Sequence, residues 1–476
     1  MKLKTIFCFV SLFLLQELPA QQNWVGIPCY KPNQNEQVNR MFVDSLHNEI
    51  ILNTNYGYKA CNAIYKGLFA YNGNSFHDLD FGLNKYDPNL AANGYLVMDC
   101  ITYNNKTLFG GGFISVGSNT LYSKSIALWN GAVWDTFPKH VFSNNDNGSG
   151  GGFNGFFKHN GKLWLYGKFD TIGNTITKNL SSFDGNTFSQ IPAIPDFDND
   201  YIIGKAIVYK NKIIATGNFY DQNSWSAQVA MYDGNSWSSV GTGVKGGFSS
   251  VIDMAIYKDT LYIAGSWAKA DGNVSNHIMK WDGNQLYDAG FGNFYSWAGI
   301  TNLVVYRNRL YALGPYDHAA NKKAYGISYY QNGTWTVPQD SIANSGVRFG
   351  VVYKDALYIA GAFKNIGKDT TIRNFATLVC PDFDAASGCL SGVKENNLNR
   401  LNLKVFPNPV KEKLYFTTEN LIVNRLTLSN ALGQIVYSKQ QVNLSAGLNV
   451  EFLPSGIYYL QLQDAEFRTM LKIIKE

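Results

Sequence analysis

Hydrolytic chemistry needs an acid and a base that converge, and the carboxylates of this chain are distributed against it. Between Ile50 and Lys394 there is no Glu, the residue type that many retaining and inverting glycosidases use as acid, base or nucleophile. Asp is the remaining carboxylate, yet Asp184, Asp233, Asp259, Asp282 and Asp355 recur at turn positions, where the side chain serves the backbone. His47 and His159 stand just before turns, and His77, His140, His277 and His318 fall in separate segments, so no copper or zinc set is read. Asp196-Phe197-Asp198-Asn199-Asp200 alternates acceptors as a calcium loop would, but lacks the Gly and distal Glu of that pattern and reads as a solvated loop. The run Gly148 to Gly152 has no Lys-Ser/Thr pair after it and cradles no phosphate. No catalytic residue, cofactor or metal ligand is assigned.

The elements that carry these residues are repeated hairpins. Ile252 to Trp267 shows the unit: apolar residues run up to Tyr257, Lys258-Asp259 turns the chain, and Leu261 and Ile263 resume a strand that ends on Gly265-x-Trp267. Aligning the strand residue after each turn gives Ile50, Leu108, Leu163, Ile213, Leu261, Leu310 and Leu357, with successive spacings between 47 and 58 residues. That is the period of a propeller blade. An aromatic or His precedes each turn (His47, Tyr103, His159, Tyr209, Tyr257, Tyr306, Tyr353) and is expected to pack at the strand end. Gly-x-aromatic follows at Gly111/Phe113, Gly167/Phe169, Gly217/Phe219, Gly265/Trp267, Gly314/Tyr316 and Gly361/Phe363, where Gly permits a bend or a close backbone approach.

A second hairpin in each unit carries Asn72-Gly73, Asn130-Gly131, Asp184-Gly185, Asp233-Gly234, Asp282-Gly283 or Asn332-Gly333, dipeptides that suit type I′ turns. The strand after it opens on Phe76, Trp134, Phe188, Trp237, Leu286 or Trp335. Each unit therefore has four strands. The seventh breaks off after Phe375 to Cys380, and Asn23-Trp24-Val25-Gly26 reads like the missing fourth strand. Closing the ring with it would remove an open sheet edge. The expected fold is all-β: a seven-bladed β-propeller over residues 21–389, a linker over 390–400 and a small C-terminal β-sandwich over 401–476. The alternative is an open array of the same sheets.

The repeats resemble those of secreted bacterial β-propeller proteins of the kelch and galactose-oxidase type. That resemblance implies the fold and leaves the activity open, because propellers host binding proteins, scaffolds and enzymes alike. The turn Asp233 to Trp237 resembles the Asp-box of sialidases, but Arg307, Arg309, Arg348 and Arg373 are too few for the arginine cluster of such an enzyme. Charge is scarce, at 16% with a net of +5 and no Lys/Arg cluster, which excludes a nucleic-acid partner.

Met1 to Ala20 has Lys2 and Lys4, the apolar run Ile6 to Leu15, and Leu18-Pro19-Ala20 before Gln21, the pattern of a secretory signal peptide. The run is too short to span a bilayer, and no membrane span is read later. Removal of the signal leaves five cysteines, of which Cys380 and Cys389 are the expected pair. At the other end, Pro407-Asn408-Pro409, Asn430-Ala431-Leu432-Gly433, Ser455-Gly456-Ile457-Tyr458-Tyr459 and a basic terminus with Lys472 and Lys475 resemble, in order, the C-terminal sorting domain of cargo exported by the type IX secretion system of Bacteroidetes. The resemblance implies secretion machinery as partner, recognition at the outer membrane and removal of the domain on export.

The expected function is that of an exported binding or adhesion module for a glycan, polymer or protein. The alternatives are a polysaccharide-active enzyme using Asp residues near the central axis, and a structural surface component. Hairpin turns are short and uniform, whereas the other connections vary in length, so a ligand is expected among the latter. Tyr220, Trp225, Tyr295 and Trp297 could offer aromatic faces there.

Overall fold

The computed structural model describes residues 23–27, 38–60, 63–79, 83–84, 96–113, 115–116, 121–123, 125–137, 141–142, 152–194, 201–217, 228–246, 250–292, 299–338, 346–366, 372–379, 405–417, 422–430, 435–463 and 468–476. They form antiparallel strands joined by turns, with short 3-10 segments at Lys269–Asp271 and Leu444–Ala446. No helix among them is long and apolar enough to cross a membrane. Contacts divide the chain into two units, Met1–Cys380 and Pro381–Glu476.

The first unit contains seven four-stranded sheets. Sheet five shows the pattern: Ser250–Tyr257, Thr260–Ser266, Ile278–Trp281 and Leu286–Asp288 pair in that order. Sheets one to four occupy 38–78, 96–136, 152–190 and 203–239, and sheet six 302–336. Sheet seven takes three strands from 347–379 and its fourth from the N-terminal side, where Asn23–Gly26 pairs with Phe375–Val379 and Trp24 lies opposite Leu378. Trp24 is buried. The first strand of each sheet touches that of the next, and the first strand of sheet seven touches that of sheet one.

Alternation on these strands places apolar side chains between neighbouring sheets, where clusters such as Tyr257, Tyr262, Leu310 and Tyr330 combine residues of two units. The recurrent Gly sits where the backbones cross. A Cβ on Gly265 would lie 2.0 Å from the Ser250 carbonyl oxygen, and one on Gly361 1.9 Å from that of Gly346. The aromatic two residues on is buried in each described case, as with Phe113, Phe169, Trp267, Tyr316 and Phe363.

Three sequence expectations are corrected. Thr107, not Leu108, occupies the place of Leu261, because Tyr103 pairs with Lys106 as Tyr257 pairs with Thr260. In sheet one the pre-turn position belongs to Asp44, which pairs with Glu49, and His47 lies inside a longer turn. The I′ conformation, with positive φ at both central residues, belongs to the first hairpins, such as Lys258-Asp259 (48° and 56°) and Lys354-Asp355 (46° and 56°). Of the Asn-Gly and Asp-Gly turns in the described second hairpins only Asn332-Gly333 has positive φ at both residues. In the others the Asx side chain folds back instead: Asp233 Oδ1 accepts the N–H groups of Asn235 and Ser236 at 2.8 Å each, which satisfies the turn without a left-handed residue before the Gly.

In the second unit Ile435–Asn443, Ile422–Asn430, Gly456–Gln463 and Arg468–Lys475 form one sheet, and Val405–Phe406, Lys413–Phe416 and Leu448–Asn449 another. Both contribute to one core that includes Leu414, Leu426, Leu428, Val450, Leu460 and Ile473.

Candidate functional site

Tyr220, Trp225, Tyr295 and Trp297 lie outside the described residues, as do His140, the Asp196 to Asp200 stretch, Gly433, the 390–400 linker, and Cys380 with Cys389. Three constellations in the first unit do carry polar groups to defined places. The first is a ring of side chains on the first strands, which touch one another in cyclic order. In six of the seven sheets that strand has a β-bulge near its start, between Val38 and Arg40, Val97 and Asp99, Phe153 and Gly155, Ile203 and Lys205, Val251 and Asp253, and Val347 and Phe349. A bulge re-aims the side chain that follows it. Arg40, Asp99, Gly155, Lys205, Asp253 and Phe349 therefore share one position, and Asn302 holds it in sheet six by its pairing with Leu313.

These groups bridge one sheet to the next. Asp99 Oδ2 accepts the Phe156 N–H of sheet three at 2.9 Å. Asp253 Oδ2 accepts the Leu303 N–H and the Asn302 Nδ2–H of sheet six at 2.9 and 2.8 Å. Asn302 Oδ1 in turn accepts the Gly350 N–H of sheet seven at 2.8 Å. Where sheet three has only Gly155, the Tyr166 hydroxyl fills the space and accepts the Ala206 N–H. Lys205 joins the ring through Asp253 Oδ1 at 3.1 Å, and Arg40 lies 5.0 Å over the Phe349 ring.

Burial sets the protonation of the ring. It raises the Asp99 carboxyl to about 6 against the opposing pull of the Phe156 N–H and Lys205, and it raises the Tyr166 hydroxyl as well. Lys205 goes up because the Asp253 carboxylate outweighs its own burial. Asp99 and Asp253 are both committed to backbone N–H groups of the following sheet.

A second cluster gathers Asp44, His47 and Glu49 within 4.8 Å of one another. Asp44 is already engaged, accepting from Thr107 Oγ1 and lying against His47 Nδ1, each at 2.7 Å, as well as from the Leu46 N–H. It locks the turn of sheet one to sheet two. Burial raises the neighbouring Glu49 carboxyl, which sits 3.3 Å from His77 Nε2.

The third constellation is a cleft of about 280 Å³ between sheets three and four, lined among others by His159, Lys162, Trp164, Ser182, Tyr232 and Asp233. It opens among the hairpin turns. The pre-turn column explains it. Tyr209 donates to the Asp259 and Trp281 carbonyls of the next sheet, Tyr257 to Asn308, Tyr306 to Asp355, and Tyr353 to Asn48 and Asn72. Tyr103 fills its junction with a ring against Phe137 and Phe183. His159 has no phenol and turns to its own sheet, with Nε2 at 3.1 Å from Asn160 Nδ2. The sequence contained this signal, a His where most repeats have Tyr, but not the crosslink that the His fails to make.

In the second unit the separate pieces of the terminal motif converge. The Asn408 side chain, between Pro407 and Pro409, donates to the Lys472 carbonyl and accepts the Ile474 N–H, each at 2.8 Å. Val410 continues along the same edge, donating to the Ile474 carbonyl. Gly456 pairs with Lys475, and the buried Tyr458, beside it, donates to the Pro454 carbonyl at 2.9 Å. Lys472 is exposed opposite Tyr459.

A family model described as a secretion system C-terminal sorting domain matches residues 404–476. This tail marks the chain for secretion to the cell surface or the extracellular space, and implies interaction with the type IX secretion machinery. No curated protein sequence matches the chain. Among solved structures it is similar to PorZ, a surface component of the type IX secretion system of Porphyromonas gingivalis, with 14% identity, a TM-score of 0.44, and coverage of 95% of this chain and 61% of PorZ. It is also similar to the extracellular domain of a hybrid two-component system of B. thetaiotaomicron, with 11% identity, a TM-score of 0.48, and coverage of 88% of this chain and 47% of that one. A Trypanosoma rangeli sialidase variant gives 9% identity, a TM-score of 0.32, and coverage of 95% and 89%. The chain spans about half to three fifths of the length of the first two.

Proposed function

We propose that residues 21–389 form a closed seven-bladed propeller, of the kelch-like kind, that acts outside the cell as a binding or adhesion module for a glycan, polymer or protein. Residues 1–20 serve as its signal peptide, and residues 401–476 are removed after delivery through the type IX system. The observation that carries this reading is the sorting tail at 404–476 on a chain whose other unit is a set of seven cross-tied sheets. The cyclic contact of first strands and the N-terminal fourth strand of sheet seven support closure. The long connections with Tyr220, Trp225, Tyr295 and Trp297 are candidate ligand contacts.

The test pairs intact-mass measurement of the secreted protein with glycan and protein ligand screens on the same material. Loss of both termini and retention of at least one ligand are expected. Released protein that still carries Met470 to Glu476 would refute the sorting role, and a screen without any ligand would refute the binding role. One observation favours an enzyme as second reading: Asp99, with a carboxyl near 6, lies in the ring of first-strand side chains with Asp253. Polysaccharide cleavage lost in Asp99→Asn but kept in Trp225→Ala would favour it.

A further inference from the structure

We propose that the cleft between sheets three and four is a carbohydrate subsite that takes a single hydroxyl-bearing sugar ring. The proposal deepens the binding-module reading and rests on it. Its argument comes from the internal repeat, because the same junction is seen several times with an occupant supplied by the protein itself. Between sheets four and five the Tyr209 ring lies 5.5 Å from Trp281 while its hydroxyl donates to the Asp259 carbonyl at 2.9 Å. The adjacent Lys210 ammonium donates to the Asp282 carbonyl at 2.6 Å. Sheets seven and one repeat this with Tyr353 and with Lys354, which reaches the Asn72 carbonyl at 2.8 Å. What fills these two junctions is a flat ring whose hydroxyl, with the ammonium beside it, donates to the turn carbonyls of the next sheet.

At the junction of sheets three and four the corresponding residues are His159 and Asn160, and both are too short to cross. Among the described residues no side chain of sheet three donates to the Asn211 or Asp233 carbonyl, the counterparts of Asp259 and Asp282. The ring counterpart of Trp281 is Tyr232, which lines the cleft with its hydroxyl turned to the Gly234 carbonyl at 2.9 Å. Trp164 lines the opposite side. It is largely buried, stacked on Phe157 at 5.7 Å and 11° with its Nε1 donating to the His159 carbonyl at 3.2 Å, so it gives the cleft a small apolar wall.

The chemistry of the walls selects among ringed occupants. A phenol would bring one donor. The cleft instead offers acceptors at the turn carbonyls and Asp233, a cationic donor at Lys162, and hydroxyls at Ser182 and Ser189, a set that matches several hydroxyls distributed around a ring. A volume of about 280 Å³ is at the lower limit for small-molecule sites, which restricts it to one ring of a longer glycan.

The experiment uses the secreted protein and the variant His159→Tyr, which restores the residue found at this position in the next four sheets. Probes are neutral gluco-, galacto- and manno-oligosaccharides and N-acetyltyrosinamide, followed by calorimetry and ligand-observed NMR. Wild type is expected to bind at least one oligosaccharide, and His159→Tyr to weaken that binding at least tenfold with an unchanged or higher melting temperature. His159→Ala, which keeps the cleft open, is expected to retain it. Oligosaccharide binding that ignores His159→Tyr would overturn this site and leave the binding-module reading standing. Binding of N-acetyltyrosinamide but no sugar would overturn the sugar assignment in favour of a tyrosine-bearing partner. Silence toward every probe would overturn the subsite, and silence in the wider ligand screens as well would remove the binding-module reading with it.

Discussion

Replacing Asp99 by Asn removes the ionisable group from the ring and keeps its shape; the amide oxygen can still accept the Phe156 N–H, while the bond that the other carboxylate oxygen accepts from the Cys100 N–H is lost equally at every pH. Burial lifts the Asp99 carboxyl from the ordinary 3.8 to about 6 in the folded chain. Between those values the folded state holds a proton that the unfolded state has released, so wild-type stability falls as pH rises through this window. Below about 4 both states are protonated and the penalty vanishes. At about 1.4 kcal/mol per pH unit the window corresponds to about 3 kcal/mol, an upper value that local relaxation reduces. Urea unfolding of wild type and Asp99→Asn at intervals from pH 3 to 8 therefore gives a difference that is flat near pH 3, grows in favour of Asn with half of the change reached near pH 5, and levels off above about 7. A difference that does not depend on pH would refute the burial argument. One in which wild type gains as pH rises through 4 would show that the Phe156 N–H, Lys205 and Arg40 together outweigh desolvation.

Two further outcomes follow from packing. Gly265→Ala forces a Cβ to within 2.0 Å of the Ser250 carbonyl and is expected to destabilise the first unit by more than about 3 kcal/mol, well beyond the usual effect of a point change; denaturant midpoints check it, and a change under about 1 kcal/mol would contradict the crossing geometry. Trp24→Ala removes a buried indole from the strand paired with Phe375–Val379 and should cost about 3–5 kcal/mol, read as a fall in melting temperature that a disordered tail would not show.

How much was legible depended on whether a residue spoke to its own hairpin or to the next sheet. Leu261, Gly265 and Trp267 act within the strand pair or directly on it, and their spacing disclosed the unit, the count and the close backbone approach. Trp24 was legible for the same reason, since the text around it repeats that of Trp237. The bulged position was not. Arg40, Asp99, Gly155, Lys205, Asp253, Asn302 and Phe349 share a place but no chemistry, because each is matched to a different neighbour across the junction rather than to its own repeat. The tyrosine column was visible as a pattern, yet its role was underestimated: packing at a strand end needs only the ring, whereas the hydroxyl reaches the following sheet. Sheet one misled the alignment because Asp44 and Thr107 make with a carboxylate and a hydroxyl the tie that Tyr makes elsewhere.

The N-terminal strand of sheet seven has a mechanical consequence. Asn23 lies opposite Val379 and Gly26 opposite Ala376, so the chain runs out of this pair toward both of its ends from the same side. Tension drawn between those two exits loads the hydrogen bonds one after another, as a zipper is opened, instead of loading all of them at once in shear. Sheet seven would then part at a low force, releasing Trp24 while the hairpins of the other sheets, closed by their own turns, stay intact. For a protein held at a cell surface through one end and pulled through the other, this pair is the first to give way and, because its partner strand remains folded in place, the one most readily re-formed when the load is lifted.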